Sequence, residues 1–309
     1  MKQLLSLILL LLPIFLSAQA DDAITASAAK RDQGNLSESL RILNKAIEKH
    51  PEEADLYHER AMTYMDAKKY DLALLDFSQA ISLDSTISVY WSNRANLLSG
   101  AGLYNEALYD YYAALEHAES DTIRNSIYIN RAGTYLLIRE FEMAYDDLME
   151  AYRIDSLNIA TLNNLGTVLD DLGRTEESII YLKKVIELDP GFLGGYANLA
   201  FQFGKLGRHQ EALDYSSKAI AIAPDQGILY NNRGFIYYSM GEYKKALKDI
   251  NKSLKMYPAN SYAYRNRALV HIAQKKKSST CEDLNKAIEL GFTTNYGPEC
   301  EELLLTHCN

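Results

Sequence analysis

The stretch "INRAG" at 129–133 has four echoes: "HERAM" at 58–62, "SNRAN" at 92–96, "NNRGF" at 231–235 and "RNRAL" at 265–269. Each time an arginine stands directly before a small residue, inside an apolar helical pattern. Arg60 to Arg94 is 34 residues, and so is Arg233 to Arg267. Arg94 to Arg131 is 37, an insertion of three near "AESDTIR", and Arg131 to Arg233 is 102, three further steps. In two of those steps Leu165 and Leu199 hold the place of the arginine. A fixed period of this size marks an array of one repeated supersecondary unit.

Each unit reads as two helices. The first carries a large residue (Tyr57, Trp91, Tyr128, Leu162, Tyr196, Tyr230 or Tyr264), a small one four places on and a bulky one three places further. Spacings of four and three keep them on one helical face. A turn follows, often with glycine, as at Gly102, Gly173, Gly207 and Gly241. The second helix has its own stripe, such as Ala73, Phe77 and Ala80. Pro190, Pro224 and Pro258 stop three of these helices, since proline lacks the N–H and its ring clashes with the preceding turn.

The pattern resembles the tetratricopeptide repeat (TPR) family, over 54–290 as seven units, with 21–53 as a degenerate first unit. The resemblance implies an all-α fold, a TPR α-solenoid in which stacked helix-turn-helix hairpins form a right-handed superhelix with first helices on its concave face. One hairpin cannot bury its apolar face alone, whereas a stack buries a continuous core. The fold itself does not dictate a role.

The arginines are tempting anion hooks. Sixteen residues after each, however, stands an aspartate: Arg60 with Asp76, Arg94 with Asp110, Arg131 with Asp147, Arg233 with Asp249 and Arg267 with Asp283. Where leucine replaces the arginine the aspartate also goes, Leu165 with Tyr181 and Leu199 with Tyr215. Both places lie at equal depth on opposite arms of a hairpin. The expectation is a structural Arg–Asp pair bridging its two helices.

Immediately before the arginine or its leucine stand Asn93, Asn130, Asn164, Asn198, Asn232 and Asn266, with Glu59 as the exception. One helix step, about 100°, should set them at the groove edge. An amide both donates and accepts, and the resemblance implies that such a row can grip an extended peptide backbone. The alternative is that they only satisfy the helix surface. Other groove-facing places are Asp55, Met62, Asp66 and Asn96, then Asp170 and Asp171, then Phe201, Phe235, Tyr238, Tyr262, Arg265 and Leu269. Aromatics beside an arginine have the composition of a binding hot spot, though Phe201 and Phe235 could equally pack between repeats.

The first 20 residues, "MKQLLSLILLLLPIFLSAQA", read as a cleavable leader: Lys2, an apolar run and Ala18-Gln19-Ala20. A periplasmic or secreted protein of the exported bacterial type is expected. The formal charge is −9, and −10 once Lys2 is removed, so neither nucleic acid nor an anionic membrane is an expected general partner. All three cysteines lie near the end, which is expected to form a C-terminal capping helix over 291–309, with Leu303, Leu304 and Leu305 sealing the core. This ending resembles one in exported bacterial TPR proteins, with a cysteine opening the last second helix and another closing the chain. If those helices are antiparallel, Cys281 and Cys308 share an end and Cys300 lies at the other, so a Cys281–Cys308 disulfide is expected.

No histidine pair has zinc spacing, and no phosphate loop or nucleophile elbow occurs. No enzyme activity, metal or cofactor is expected. The leading expectation is a scaffold for protein–protein interaction that binds a protein or extended peptide in its groove. A carbohydrate-binding accessory protein, and a sensory or assembly module of a cell-envelope complex, are the rivals.

Overall fold

The computed structural model describes residues 19–308, so all but the last two residues of the leader lie outside it. The chain divides into two compact units, up to Ser156 and from Leu157. Unit 1 holds four hairpins: α1 (19–32) with α2 (Leu36–Lys49), α3 (Ala54–Asp66) with α4 (Tyr70–Leu83), α5 (Ser88–Gly100) with α6 (Tyr104–Glu116), and α7 (Asp121–Leu137) with α8 (Phe141–Ile154). Unit 2 holds α9 (Ile159–Asp171) with α10 (Thr175–Leu188), α11 (Leu193–Lys205) with α12 (His209–Ile222), α13 (Gly227–Ser239) with α14 (Tyr243–Met256), and α15 (Ser261–Ala273) with α16 (Lys277–Glu289). Within each unit the second helix of one hairpin packs on the first helix of the next.

The small residues set the approach of the helices. Ala61, Ala73 and Ala80 in one hairpin, and Ala95, Ala107 and Ala114 in the next, are fully buried. At some glycines an added Cβ would collide with a side chain of the packed helix. A Cβ on Gly166 would lie 2.5 Å from Leu182, and one on Gly234 2.6 Å from Ile250. The three-residue insertion lengthens one helix: α7 has 17 residues where its counterpart α5 has 13.

The repeated arginine makes a two-pronged bond with its aspartate in five hairpins. Nε and Nη2 lie 2.7 and 2.8 Å from the carboxylate in Arg60–Asp76 and again in Arg94–Asp110. The distances are 2.7 and 2.6 Å for Arg131–Asp147, 2.7 and 3.1 Å for Arg233–Asp249, and 2.9 and 2.6 Å for Arg267–Asp283. The planar fork of the guanidinium suits this geometry. Nη1 then reaches the second helix of the preceding hairpin, at Asn44, Ser78, Ser217 or Asn251. One guanidinium therefore ties three helices. Aromatics at the large first-helix places lie beside it, Tyr57 and Tyr64 at Arg60, Tyr230 and Tyr237 at Arg233.

Arg131 departs from this scheme. After the insertion Tyr112 stands where the others have Asn or Ser. Its ring lies 4.5 Å from the guanidinium carbon, and Arg131 Nη1 has no hydrogen-bond partner. Burial raises the Asp147 carboxyl above its ordinary pKa, opposed by the hydrogen bond from Arg131. In the leucine hairpins hydrocarbon does the joining: Leu165 and Leu199 are fully buried, and Tyr215 stacks on Phe203 at 5.3 Å.

The cap differs from a single helix. Gly291, with φ of +82°, turns the chain into the short α17 (Phe292–Tyr296), and α18 (Glu299–His307) follows. Phe292 and Cys300 are buried, with Leu303 and Leu304 beside them. Leu305 is 69% exposed, a correction to the expected three-leucine seal, because successive helical residues are about 100° apart and three in a row cannot share a face. Cys281 and Cys308 are bonded, and Cys300 is a buried free thiol.

Leaving Asp147 buried without its cation should cost about 3–5 kcal/mol, whereas replacing both partners by hydrocarbon costs little. Arg131→Leu should therefore lower stability by that order in urea titration. Arg131→Leu with Asp147→Tyr, which copies the Leu165 and Tyr181 pairing, should recover most of the loss. Equal loss in both variants would contradict the pairing.

Candidate functional site

The asparagine row divides in two. Asn93 Nδ2 donates to His58 Nε2 (2.9 Å), Asn198 Nδ2 to Asn163 Oδ1 (3.1 Å) and Asn266 Nδ2 to Asn231 Oδ1 (3.0 Å). In each case the partner lies 35 residues earlier, on the first helix of the preceding hairpin. These amides staple neighbouring hairpins, and Asn266, only 1% exposed, also borders the unit 2 cavity described below. Asn130 and Asn232 are exposed, and Asn164 is half-buried. Glu59, the exception in the row, takes the Arg31 guanidinium at 2.7 Å.

His58 shows how dry this stapled layer is. Its ring lies between Phe77 and Tyr90, 5.7 and 5.1 Å between centroids. Accepting from Asn93 requires a neutral ring with its proton on Nδ1. Burial pushes the pKa of His58 down to about 4, against the pull of Asp55.

Two other expected ligand residues have partners within the chain. Arg265 pairs through both prongs with Glu299 of α18 and lies over Phe235 and Tyr262. It braces the cap on the last hairpin; Glu299 lies 34 residues on, one full period, but in a cap where the repeat's residue pattern has stopped. Tyr238 packs against Phe235 and Tyr243, beside the α14–α15 core. It is half-buried and backs Phe235 without lining the cavity itself.

Phe201 and Phe235 behave differently. They are 60% and 36% exposed and line a cavity of about 560 Å³ within unit 2. Its walls come from α11, α12, α13 and α15, with Tyr296 of α17 at one side, and are mostly apolar: Ala197, Ala200, Ile228 and Ile236 join the two phenylalanines. Asn232 is on the wall. So is Asn260, which repeat spacing did not single out. Asn260 is the N-cap of α15: its Oδ1 accepts from the Ala263 N–H at 3.1 Å, while its Nδ2 has no hydrogen-bond partner and the residue is 6% exposed. The signal for it in the sequence was the helix-start preference for asparagine. An unpaired buried donor in an apolar wall costs free energy that an acceptor on a ligand would recover.

Among the described residues no group of three or more His, Cys, Asp or Glu could hold a metal ion, and no helix is long and apolar enough to cross a membrane.

Tetratricopeptide repeat models match residues 25–88, 159–192 and 194–259, together more than half of the chain. The chain belongs to the tetratricopeptide repeat family, whose members with this architecture are non-enzymatic interaction scaffolds. It is 23% identical over 171 residues to human tetratricopeptide repeat protein 13, a match spanning 54% of this chain and 19% of that protein. A tetratricopeptide repeat protein from Parabacteroides merdae has a similar structure, with TM-score 0.60 and 22% identity, over 94% of this chain and all of that one. The C-terminal part of a TPR repeat-containing protein from Cytophaga hutchinsonii gives TM-score 0.61 and 22% identity, over 79% of this chain and 98% of that one. At these identities the likeness to solved structures concerns the fold.

With its folded pKa below the unfolded value near 6.5, His58 contributes stability that is complete above pH 6.5 and is lost as pH falls towards 4. The loss should reach roughly 2 kcal/mol by pH 5, at 1.36 kcal/mol per pH unit. Urea titrations of the protein and of a His58→Gln variant at pH 7 and 5 check this; the variant should lack that component. A His58 ring titrating near 6.5 by NMR would contradict it.

Proposed function

We propose that this chain is an exported scaffold that captures a partner protein by an extended segment laid against the first helices of unit 2. The observation that carries the reading is the cavity between α11, α12, α13 and α15, where apolar walls surround an unpartnered amide donor on Asn260 and the exposed amide of Asn232. Such a site suits an apolar side chain whose neighbouring main-chain carbonyl accepts from Asn260. A sugar would need several polar groups around an aromatic platform, and the mostly apolar wall favours a peptide. The reading also accommodates an assembly module of a cell-envelope complex, since the partner would supply any output.

Export is part of the proposal. It rests on the leader pattern of residues 1–20 and is supported by the Cys281–Cys308 bond, since disulfides persist in oxidising compartments. Ala20 is buried against Leu43 and Leu56 in the described chain, so cleavage after it would remove one packing residue from α1. N-terminal sequencing of the exported protein should begin at Asp21.

A screen of arrayed extended peptides against the mature protein tests the binding site. Asn232→Ala with Phe235→Ala should weaken the best binders by tenfold or more. Asn260→Asp keeps the helix cap but removes the donor, and should weaken them about tenfold, the equivalent of 1.4 kcal/mol. Asn130→Ala, in unit 1, should change little. Binders unaffected by the unit 2 variants, or a glycan-array response without peptide binding, would overturn the reading.

A further inference from the structure

The second helices of α8 and α14 carry opposite charge rows at the same three places. Counting 11, 15 and 19 residues from the hairpin's arginine gives Glu142, Asp146 and Glu150 on α8, and Lys244, Lys248 and Lys252 on α14. In the other hairpins these places are mixed: Asp71, Leu75 and Gln79 on α4, or Ser278, Glu282 and Lys286 on α16. Asp147 and Asp249 are turned inward to their arginines, which leaves the rows on the outer side of each helix. Five of the six side chains belong to exposed residues, and Glu150 is 45% exposed at its side chain. No ion pair within the chain engages Glu142, Asp146, Lys244 or Lys248 among the described residues. Glu150 is paired only locally, with Arg153, and Lys252 lies over the Tyr230 ring at 3.8 Å.

Both rows have i, i+4, i+8 spacing, about 6 Å between successive charges along a helix of 1.5 Å rise per residue. They therefore match in pitch whichever way two helices run. The acidic row also sits on a strongly acidic body and the lysine row on a nearly neutral one. Residues 19–156 carry 24 acidic and 13 basic side chains, whereas residues 157–309 carry 17 and 18. The overall charge of −9 conceals this segregation. We propose that the lysine row of α14 docks on the carboxylate row of α8 in a second copy of this chain. The two surfaces are unlike, so a docked pair leaves one row of each sign exposed and the contact propagates head to tail unless a ring closes. It uses second helices only and leaves the first-helix cavity of unit 2 open.

Exposed pairs are individually weak and screened by salt, so the association should be modest and strongly salt-dependent. Sedimentation velocity of the mature protein should show concentration-dependent association at about 0.02 M salt and monomer at about 0.5 M, where the screening length falls to a few ångströms. Lys244→Glu, Lys248→Glu and Lys252→Glu combined should give a monomer at low salt with an unchanged thermal melt. So should Glu142→Lys, Asp146→Lys and Glu150→Lys combined. An equimolar mixture of the two variants should associate again, because each now presents the row that the other lacks. A monomeric wild-type protein at low salt, association undiminished by either set, or a mixture that stays monomeric would overturn the proposal. A wild-type protein that stays monomeric yet binds anionic vesicles or an RNA homopolymer through α14 would also overturn it, in favour of a different polyanion.

Discussion

The two-pronged Arg–Asp bond is the constraint on which the hairpins depend. A guanidinium offers five donors in a fixed plane, and the surroundings here use most of them. Two go to the aspartate of the same hairpin and, in four of five cases, one goes to the second helix of the hairpin before. That third bond makes the strut an element of stacking as well as of hairpin closure. Breaking such a bond is expensive, although replacing it wholesale is not. The chain shows both solutions, with Leu165 and Leu199 joining by hydrocarbon what the other hairpins join by charge.

The struts lie between the helices, which leaves the other side of the first helices for different work. Along that side the asparagines form one series in the sequence, but the fold gives them two uses. Asn93, Asn198 and Asn266 hold successive first helices together, each through a polar residue 35 places earlier. Asn232 faces a cavity, which Asn266 also borders. The distinction depends on what the preceding hairpin offers at that place: His58, Asn163 or Asn231 captures the amide that follows it.

The period and the joint switching of arginine and aspartate made the hairpins and struts legible, because both are relations inside one repeat. Contacts that depend on the neighbouring repeat were less so. The Tyr112 ring over Arg131 follows from a three-residue shift whose effect appears only once α7 is a turn longer. The Arg265–Glu299 bond joins a repeat to a cap that has no counterpart elsewhere in the chain. Asn260 was hidden for another reason: its role as a helix cap occupies the oxygen, and only the fold shows that the amide nitrogen beside it lacks a partner.

Nitrogen-15 NMR of the arginine side chains, assigned by single Arg→Lys variants, tests the strut most directly. Held by two bonds to a carboxylate, the Nε–H groups of Arg60, Arg94, Arg131, Arg233 and Arg267 should exchange slowly with water and keep their shifts when inorganic phosphate is added. Fast-exchanging signals that move with added phosphate would show arginines open to an anion and would contradict the account.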